Sequence, residues 1–202
     1  MSELLAQVRE HLSAHFAGLG VDAEPESASV TFLGVERMDV LRWGPVGGMY
    51  HDGLYHYVSV GCSRHPMADP SAAVADPVRG PRAEVVMSLR GGAPTPGLAR
   101  SLAVVAATPA VDGVVLETDL LVDLSAPLWD GAPFPAVLLG ESLIADLPAQ
   151  PPRDAVRFMA AVPITPTEAA WVRLKGAEAM RNAWFDDRVD VFDPDRPASS
   201  PR

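Results

Sequence analysis

The sequence has 202 residues, of which 48% are hydrophobic and 21% are charged. This length and composition are typical of one globular domain with a full hydrophobic core. Acidic residues outnumber basic ones, 26 against 16, and the net charge of −10 disfavours nucleic-acid binding, which needs a basic surface. The same charge favours a basic protein partner. Cys62 is the only cysteine in the sequence, which excludes an intrachain disulfide.

The first predicted element is an N-terminal helix over residues 1–20 that packs on the domain. Its apolar residues recur at helical spacing, at Leu5, Val8, Leu12 and Phe16. Charged residues interrupt the apolar stretch that a signal peptide would need, at Glu3, Arg9 and Glu10. We therefore expect a cytoplasmic protein with no membrane span.

Short strands and one helix are predicted in the next part of the chain. Apolar runs bounded by turn residues predict strands over residues 28–33, 38–43, 54–60 and 82–90. Between the last two strands, residues 64–81 contain four prolines, too many for a regular element, and we expect a binding loop there. The apolar run 98–107 predicts a buried helix, which permits a β-to-α crossover.

A third helix is predicted to begin at the segment 165–168, Thr-Pro-Thr-Glu. Thr165 can accept from the amide three residues later, and Glu168 can reach back to the start of the helix. We predict that this helix continues through Gly176, at a place where another backbone approaches closely. The main domain is assigned to residues 21–197, and residues 198–202 are predicted to form a disordered tail.

Four potential zinc ligands lie close together in the sequence, at His51, His56, Cys62 and His65. Their spacing matches no compact zinc site and no second ligand cluster follows, so we predict no metal and no cofactor. Cys62 and His65 also suggest a nucleophile and its base, but two intervening residues on a turn rarely give that geometry. A buried structural thiol is the preferred interpretation. The alternative is an uncharacterised metal-dependent hydrolase that uses the His51–His65 cluster.

Two further patterns fall short of a catalytic motif. The segment 140–142, Gly-Glu-Ser, begins like a nucleophile elbow, but Ile144 stands where the second glycine belongs. Aspartates crowd between residues 186 and 195, yet interspersed arginines favour surface ion pairs and turns over acid-base catalysis. We predict no catalytic residue and no enzymatic activity.

The most informative stretch is Leu54–Ser63, which reads LYHYVSVGCS. As a strand it places Tyr55 and Tyr57 on one face and His56 on the other, with Gly61 free to form a turn. This aromatic-His-Tyr-aliphatic-Ser-aliphatic-Gly run resembles a strand motif of the suppressor-of-fused domain family. Four further segments resemble that family in the same order, namely residues 82–89, 98–102, 158–168 and 190–196.

The resemblance implies a single α+β domain with a mixed, mostly antiparallel sheet flanked by helices. It also implies a non-catalytic protein-binding function. Because the core needs no metal or cofactor, we further predict a monomer or weak dimer. Animal members sequester a zinc-finger transcription factor, whereas bacterial relatives resemble immunity proteins that neutralise toxins of polymorphic toxin systems. The compact, Ala-, Pro- and Arg-rich chain favours the bacterial immunity role, with a basic toxin as the partner. A regulatory interaction module with a different partner is the alternative.

The resemblance also indicates the residues that bind the partner. In animal members, the Tyr of this strand and an Asp of the following loop lie at the groove that receives the partner peptide, and strand addition supplies backbone hydrogen bonds. Tyr57 matches that Tyr, and Asp69 is the candidate for that Asp. Together with their neighbours Tyr55, Ser63 and Arg64, they form the predicted partner-binding set.

Overall fold

Seven strands form one mixed sheet in this computed structural model, which describes residues 3–31, 37–47, 53–67, 76–91 and 95–199. The strands are β1 (Glu26–Val30), β2 (Met38–Val46), β3 (Leu54–Val60), β4 (Arg82–Arg90), β5 (Leu121–Asp123), β6 (Ala136–Glu141) and β7 (Val156–Ile164). The helices are α1 (Glu3–Gly18), α2 (Leu98–Asp112), α3 (Pro166–Lys175) and α4 (Ala177–Asp186). A short 3-10 turn, Cys62–Arg64, follows β3.

The strands lie in the order β1-β2-β3-β4-β7-β6-β5 across the sheet. Every described pair of neighbouring strands is antiparallel except β4 and β7, which are parallel. Two antiparallel halves therefore meet at the β4–β7 pair. The chain crosses from β4 to its parallel neighbour β7 through α2, β5 and β6. The β-to-α crossover that the sequence permitted is therefore present, with two further strands inserted after the helix. The predicted fold class, an α+β domain with a mostly antiparallel mixed sheet and flanking helices, is confirmed.

Helices cover both faces of the sheet because side chains alternate along each strand. On β4, Val85 packs with α2, whereas its neighbour Val86 packs with α1 on the opposite face. The second face continues under α3 and α4, where Leu138 of β6 and Met180 of α4 belong to one buried cluster. The apolar stripe predicted for the N-terminal helix is buried in full, at Leu5, Val8, Leu12 and Phe16.

The predicted elements agree with the structure to within a few residues. Strands 54–60 and 82–90 are observed with those bounds, and the strand predicted at 28–33 is β1, shifted towards the N-terminus. On β3, Val58 packs with α1 and Tyr57 with α2, as the alternation predicted. Helix α2 continues beyond the predicted end at Ala107 to Asp112. The capping box at the start of α3 is confirmed, because Thr165 accepts from the Glu168 amide and Glu168 accepts from the Thr165 amide.

The C-terminal segment differs from its prediction. Ser199, assigned to a disordered tail, is buried, and its amide donates to Glu168 Oε1 at 3.0 Å. The segment 190–196, one of those that resemble the family, forms turns. These turns bring Arg196 and Ser199 back to the start of α3, where Glu168 provides acceptors that the sequence pattern did not reveal.

Gly176 does not lie inside a helix, contrary to the prediction, but separates α3 from α4. A Cβ added there would meet no atom within 4 Å, so no neighbouring backbone approaches it closely. Its φ of 88° and ψ of 166° instead explain the glycine, because side-chain-bearing residues avoid that backbone region. The residue is required by the corner between two helices and not by their packing.

We expect Gly176→Ala and Gly176→Leu to destabilise the protein equally, by about 1 to 3 kcal/mol, because the cost comes from backbone strain. Urea unfolding of both variants measures this. Gly18→Ala is the matched control, because a Cβ at Gly18, the last residue of α1, also meets open space but without a positive φ. That control should be neutral or slightly stabilising. A much larger cost for Leu than for Ala at position 176 would restore the packing explanation.

Candidate functional site

Three side chains form a cation-aromatic cluster where β2 and β3 run side by side. The register pairs Arg42 with Tyr57, and the Arg42 guanidinium lies 4.2 Å from the ring centre of Tyr55 and 5.9 Å from that of Tyr57. Both distances are in the range of favourable cation-π contacts. Arg42 Nη1 also donates to Glu26 of β1 at 2.7 Å. We call Arg42, Tyr55 and Tyr57 the Arg-Tyr cluster.

The Tyr55 ring packs against two glycines, Gly91 and Gly44. A Cβ added to Gly91 would lie 2.4 Å from Tyr55 Cε2, and one added to Gly44 would lie 3.0 Å from Tyr55 Cδ1. The ring therefore occupies space that side chains at these two positions would fill. Tyr57 has a hydrogen-bonding partner for its hydroxyl, because Thr95 Oγ1 lies 3.2 Å away just before α2. Both tyrosines are half-buried.

Ser63, a predicted partner contact, is fully buried, so its side chain is not exposed to a partner. Its hydroxyl donates to Glu84 Oε1 at 2.6 Å and its amide donates to the same oxygen at 3.1 Å. The Gly61 amide and the Ser59 hydroxyl are the other two donors to the Glu84 carboxylate. Glu84 on β4 thus fixes the turn after β3. Burial raises the pKa of Glu84 above its ordinary value, although the four hydrogen bonds act in the opposite direction.

The remaining predicted residues lie beyond the end of β3. Arg64 donates through Nη2 to the Arg37 carbonyl at 3.1 Å and is only partly exposed. Buried Arg82 holds this turn from below, because its guanidinium donates to the carbonyls of Ser63 and Arg64. Asp69 lies outside the described residues. The structure therefore brings Tyr55 and Tyr57 together with Arg42, which the sequence analysis missed, and places Arg64 apart from them on the turn.

The potential metal ligands do not converge in the described part of the chain. His56 packs on Phe16 of α1, with ring centres 5.2 Å apart, whereas Cys62 packs against the α2 cluster on the other face. His65 is exposed, and His51 lies outside the described residues. Within residues 3–31, 37–47, 53–67, 76–91 and 95–199, no three or more His, Cys, Asp or Glu side chains are arranged to hold a metal ion.

Cys62 does not have the environment of a nucleophile. Burial, with a further contribution from the nearby Glu84 carboxylate, raises the pKa of the Cys62 thiol well above its ordinary value. A cysteine nucleophile needs the opposite shift, because the thiolate is the reactive species. The structural-thiol interpretation is therefore supported. None of the helices in the described ranges is long and apolar enough to cross a membrane.

A second buried carboxylate, Glu168, organises the far end of the sheet. Arg196 donates to both of its oxygens, at 2.7 and 3.0 Å, and the Trp184 indole donates to Oε1 at 2.9 Å. Glu168 and Arg196 are both almost fully buried. Burial by itself raises the pKa of Glu168, but the hydrogen bonds from Arg196 and from its other donors hold the pKa below its ordinary value. This cluster is structural, since it leaves little surface for a partner.

Comparison with known proteins identifies the family. The sequence model of the suppressor of fused protein matches residues 34–197. This chain belongs to the suppressor of fused family. The match includes β2, β3, β4 and β7, and therefore the whole Arg-Tyr cluster and both buried glutamates. No curated protein matches the chain at a significant level.

Solved structures share the fold of this suppressor of fused domain. A suppressor of fused homolog from Neisseria gonorrhoeae FA 1090 has a TM-score of 0.66 and 16% identity, over 98% of this chain and 97% of that chain. A chain of the Sufu–Fu complex has a TM-score of 0.68 and 15% identity, over 96% and 91%. Drosophila Suppressor of Fused has a TM-score of 0.66 and 14% identity, over 95% of this chain and 50% of that chain. This domain therefore spans half the length of the Drosophila protein.

Proposed function

We propose that this suppressor of fused domain is a non-catalytic protein-binding domain whose partner contacts the Arg-Tyr cluster. The observation that carries the proposal is the stacking of Arg42 on two half-buried tyrosines. Tyrosine and arginine are enriched among the residues that dominate binding energy at protein interfaces. The fold of the Sufu–Fu complex supports a binding role for this architecture.

The neighbouring edge of the sheet supports an extended peptide as the bound segment. β1 is the terminal strand on this side among the described strands, and its residues Glu26 to Ser29 are exposed. A partner strand that pairs with the outer edge of β1 would gain backbone hydrogen bonds there. Only β1 would then separate the partner strand from Arg42 on β2. The Arg-Tyr cluster would supply the specificity that backbone pairing lacks.

We infer further that the partner is a basic toxin of a bacterial polymorphic toxin system and that the domain acts as its immunity protein. Inhibition by occlusion requires shape and charge complementarity but no reactive group. The net charge of −10 and the exposed acidic residues that lead into β1, Asp22, Glu24 and Glu26, favour a basic partner. Glu84 and Glu168 are buried, so the exposed carboxylates are the ones that can attract a basic partner.

We expect Tyr57→Ala combined with Arg42→Ala to weaken partner binding at least 100-fold, because the two side chains form the centre of the proposed contact. Tyr57→Phe should keep the fold and most of the affinity, because it removes only the hydroxyl that bonds Thr95. The partner is the protein that co-purifies with the tagged chain from its native cells. Calorimetry of the purified partner with each folded variant measures the affinity.

Arg173→Ala is the matched control for this experiment, because Arg173 forms a comparable surface ion pair with Asp123 at a distance of 2.6 Å. It should leave binding unchanged. Full-strength binding by the Tyr57 and Arg42 double variant would exclude this surface. The immunity role has a separate test: co-production of the domain should restore growth of cells that produce the partner. Tight binding without restored growth would contradict immunity and leave protein binding in place.

A further inference from the structure

A small pocket lies on the face of the sheet opposite the Arg-Tyr cluster. It has a volume of about 130 Å³ and lies where His15 of α1 meets β3, β4, β7 and the turn after β6. Its floor is apolar and consists of Leu54, Val86 and Ile144, each at most 5% exposed. We call this cavity the α1-side pocket.

Two of the polar side chains that line the α1-side pocket bond each other. Ser88 Oγ lies 2.8 Å from His56 Nδ1, and both residues line the cavity. A polar guest would have to compete with that hydrogen bond, whereas an apolar guest would only displace water from the floor. The pocket therefore favours an apolar group.

The mouth of the pocket presents an apolar side chain to solvent. Leu143 lines the cavity and is 79% exposed. The Ile144 amide donates to Ser142 Oγ at 3.1 Å, and this bond shapes a turn in which Ile144 is buried and Leu143 is exposed. Glu141, at the end of β6, is also exposed and adds a negative charge to the same lining. Leu143 therefore extends the apolar surface of the cavity out to the solvent.

The size of the cavity decides what kind of guest fits. Pockets for free small molecules usually enclose about 300 to 1,000 Å³. The α1-side pocket holds roughly four water molecules, at about 30 Å³ each, which corresponds to a single aliphatic side chain with four heavy atoms. A guest of that size needs further contacts outside the pocket to bind tightly. A side chain carried by a protein meets this requirement.

We propose that the α1-side pocket receives one leucine-sized side chain of a protein partner, and that a basic residue beside it in the partner pairs with Glu141. The charge of Glu141 and the net charge of −10 supply the preference for that basic neighbour. The inference rests on the proposed protein-binding function but concerns a surface separate from the Arg-Tyr cluster. Partner binding thus has two contact regions on opposite faces of β3.

Short blocked dipeptides test the pocket without the natural partner. N-acetyl-Leu-Arg-amide, titrated into protein with labelled methyl groups, should shift the signals of Val86 and Ile144 with a Kd on the order of 1 mM. N-acetyl-Ala-Arg-amide should bind at least tenfold more weakly, because it buries less apolar surface. N-acetyl-Leu-Glu-amide should bind more weakly than the arginine peptide because Glu141 repels it. Equal shifts from the Ala and Leu peptides, or no shifts up to 20-fold above that Kd, would overturn the proposal.

Variants locate the binding in the pocket. Ala160 lines the cavity and is partly exposed, so Ala160→Leu should fill the space and abolish the Leu-Arg shifts. Glu141→Gln should remove the preference for arginine over glutamate and keep the preference for leucine over alanine. Leu143→Ser should weaken binding severalfold, whereas Leu174→Ser, at a leucine 77% exposed that does not line the pocket, should have no effect.

The results distinguish a failure of the pocket proposal from a failure of the proposed function at the Arg-Tyr cluster. If Ala160→Leu does not fold, the two surface variants Glu141→Gln and Leu143→Ser carry the test, and wild-type shifts in both would contradict the proposal. Loss of the dipeptide shifts with intact partner binding at the Arg-Tyr cluster would refute the pocket alone. Failure of all partner binding, with dipeptide shifts retained, would refute the proposed function and keep the pocket as a site for apolar side chains.

Discussion

Glu168→Gln is expected to lower the free energy of unfolding by about 3 to 5 kcal/mol, because it leaves a buried charge without its partner. Arg196 is 3% exposed and donates to both Glu168 oxygens. A glutamine can still accept through one oxygen, but its amide nitrogen would face donors from Arg196 and Thr165. Urea unfolding at pH 7 measures the change.

Asp123→Asn is the control for this variant, since it breaks an ion pair of similar length between partly exposed groups. Exposed pairs contribute about 0 to 1 kcal/mol, so the control should remain close to the wild type. The pH dependence has a defined sign, because the pKa of Glu168 is lowered in the folded protein. Its stabilisation is present above the unfolded-state pKa of 4.5 and is lost as the pH falls through the lower folded-state pKa. The wild type and Glu168→Gln should therefore converge in acid, and a gap that stays constant would contradict the assignment.

Glu84→Ala is expected to cost at least about 3 kcal/mol, because it leaves four donors of the turn after β3 without their acceptor. Two are the amides of Gly61 and Ser63, and two are the hydroxyls of Ser59 and Ser63. Glu84→Gln keeps an acceptor and should cost less, about 1 to 2 kcal/mol at low pH. Urea unfolding of the three proteins between pH 4 and pH 8 measures both effects.

The pH dependence of Glu84 is opposite in sign to that of Glu168. Burial raises the folded-state pKa of Glu84, so its favourable contribution is complete below the unfolded-state pKa of 4.5 and is lost as the pH rises through the raised pKa. The advantage of the wild type over Glu84→Gln should therefore shrink with increasing pH. An advantage that grows with pH would show that the carboxylate is held in its charged form.

Local patterns in the sequence were sufficient for the first four strands and for the start of α3. Glycines bound β3, alternation marks β4, and the capping box at Thr165 depends on residues within one turn of helix. Gly176 was misassigned because an apolar stripe continues across it, and a spacing pattern carries no information on φ. Its backbone conformation is set by the corner between two packed helices.

The partners of the key side chains could not be predicted, because distant elements bring them. Arg42 reaches Tyr55 and Tyr57 only through the register of β2 on β3. Glu168 was predicted only as a helix cap. In the structure it also forms a buried ion pair with Arg196, which comes from a turn far along the chain. Alternation along β2 was a usable signal for Arg42, since it places the residue on the same face as Val40. The resemblance of the segment 190–196 included Arg196 but did not indicate that its side chain would be buried against Glu168.

The parallel pair at the middle of the sheet has a consequence for the order in which the chain folds. Each antiparallel half can form between strands that follow one another, whereas β4 must find β7 across all of α2, β5 and β6. Closing so long a loop costs chain entropy before the contacts between β4 and β7 can stabilise the sheet, and such steps are therefore slow. Until that step, β4 and β7 both expose unpaired edges rich in apolar residues, a state prone to association with other chains. We expect the repulsion between like-charged chains at −10 to act mainly in that interval, as protection for a half-assembled sheet.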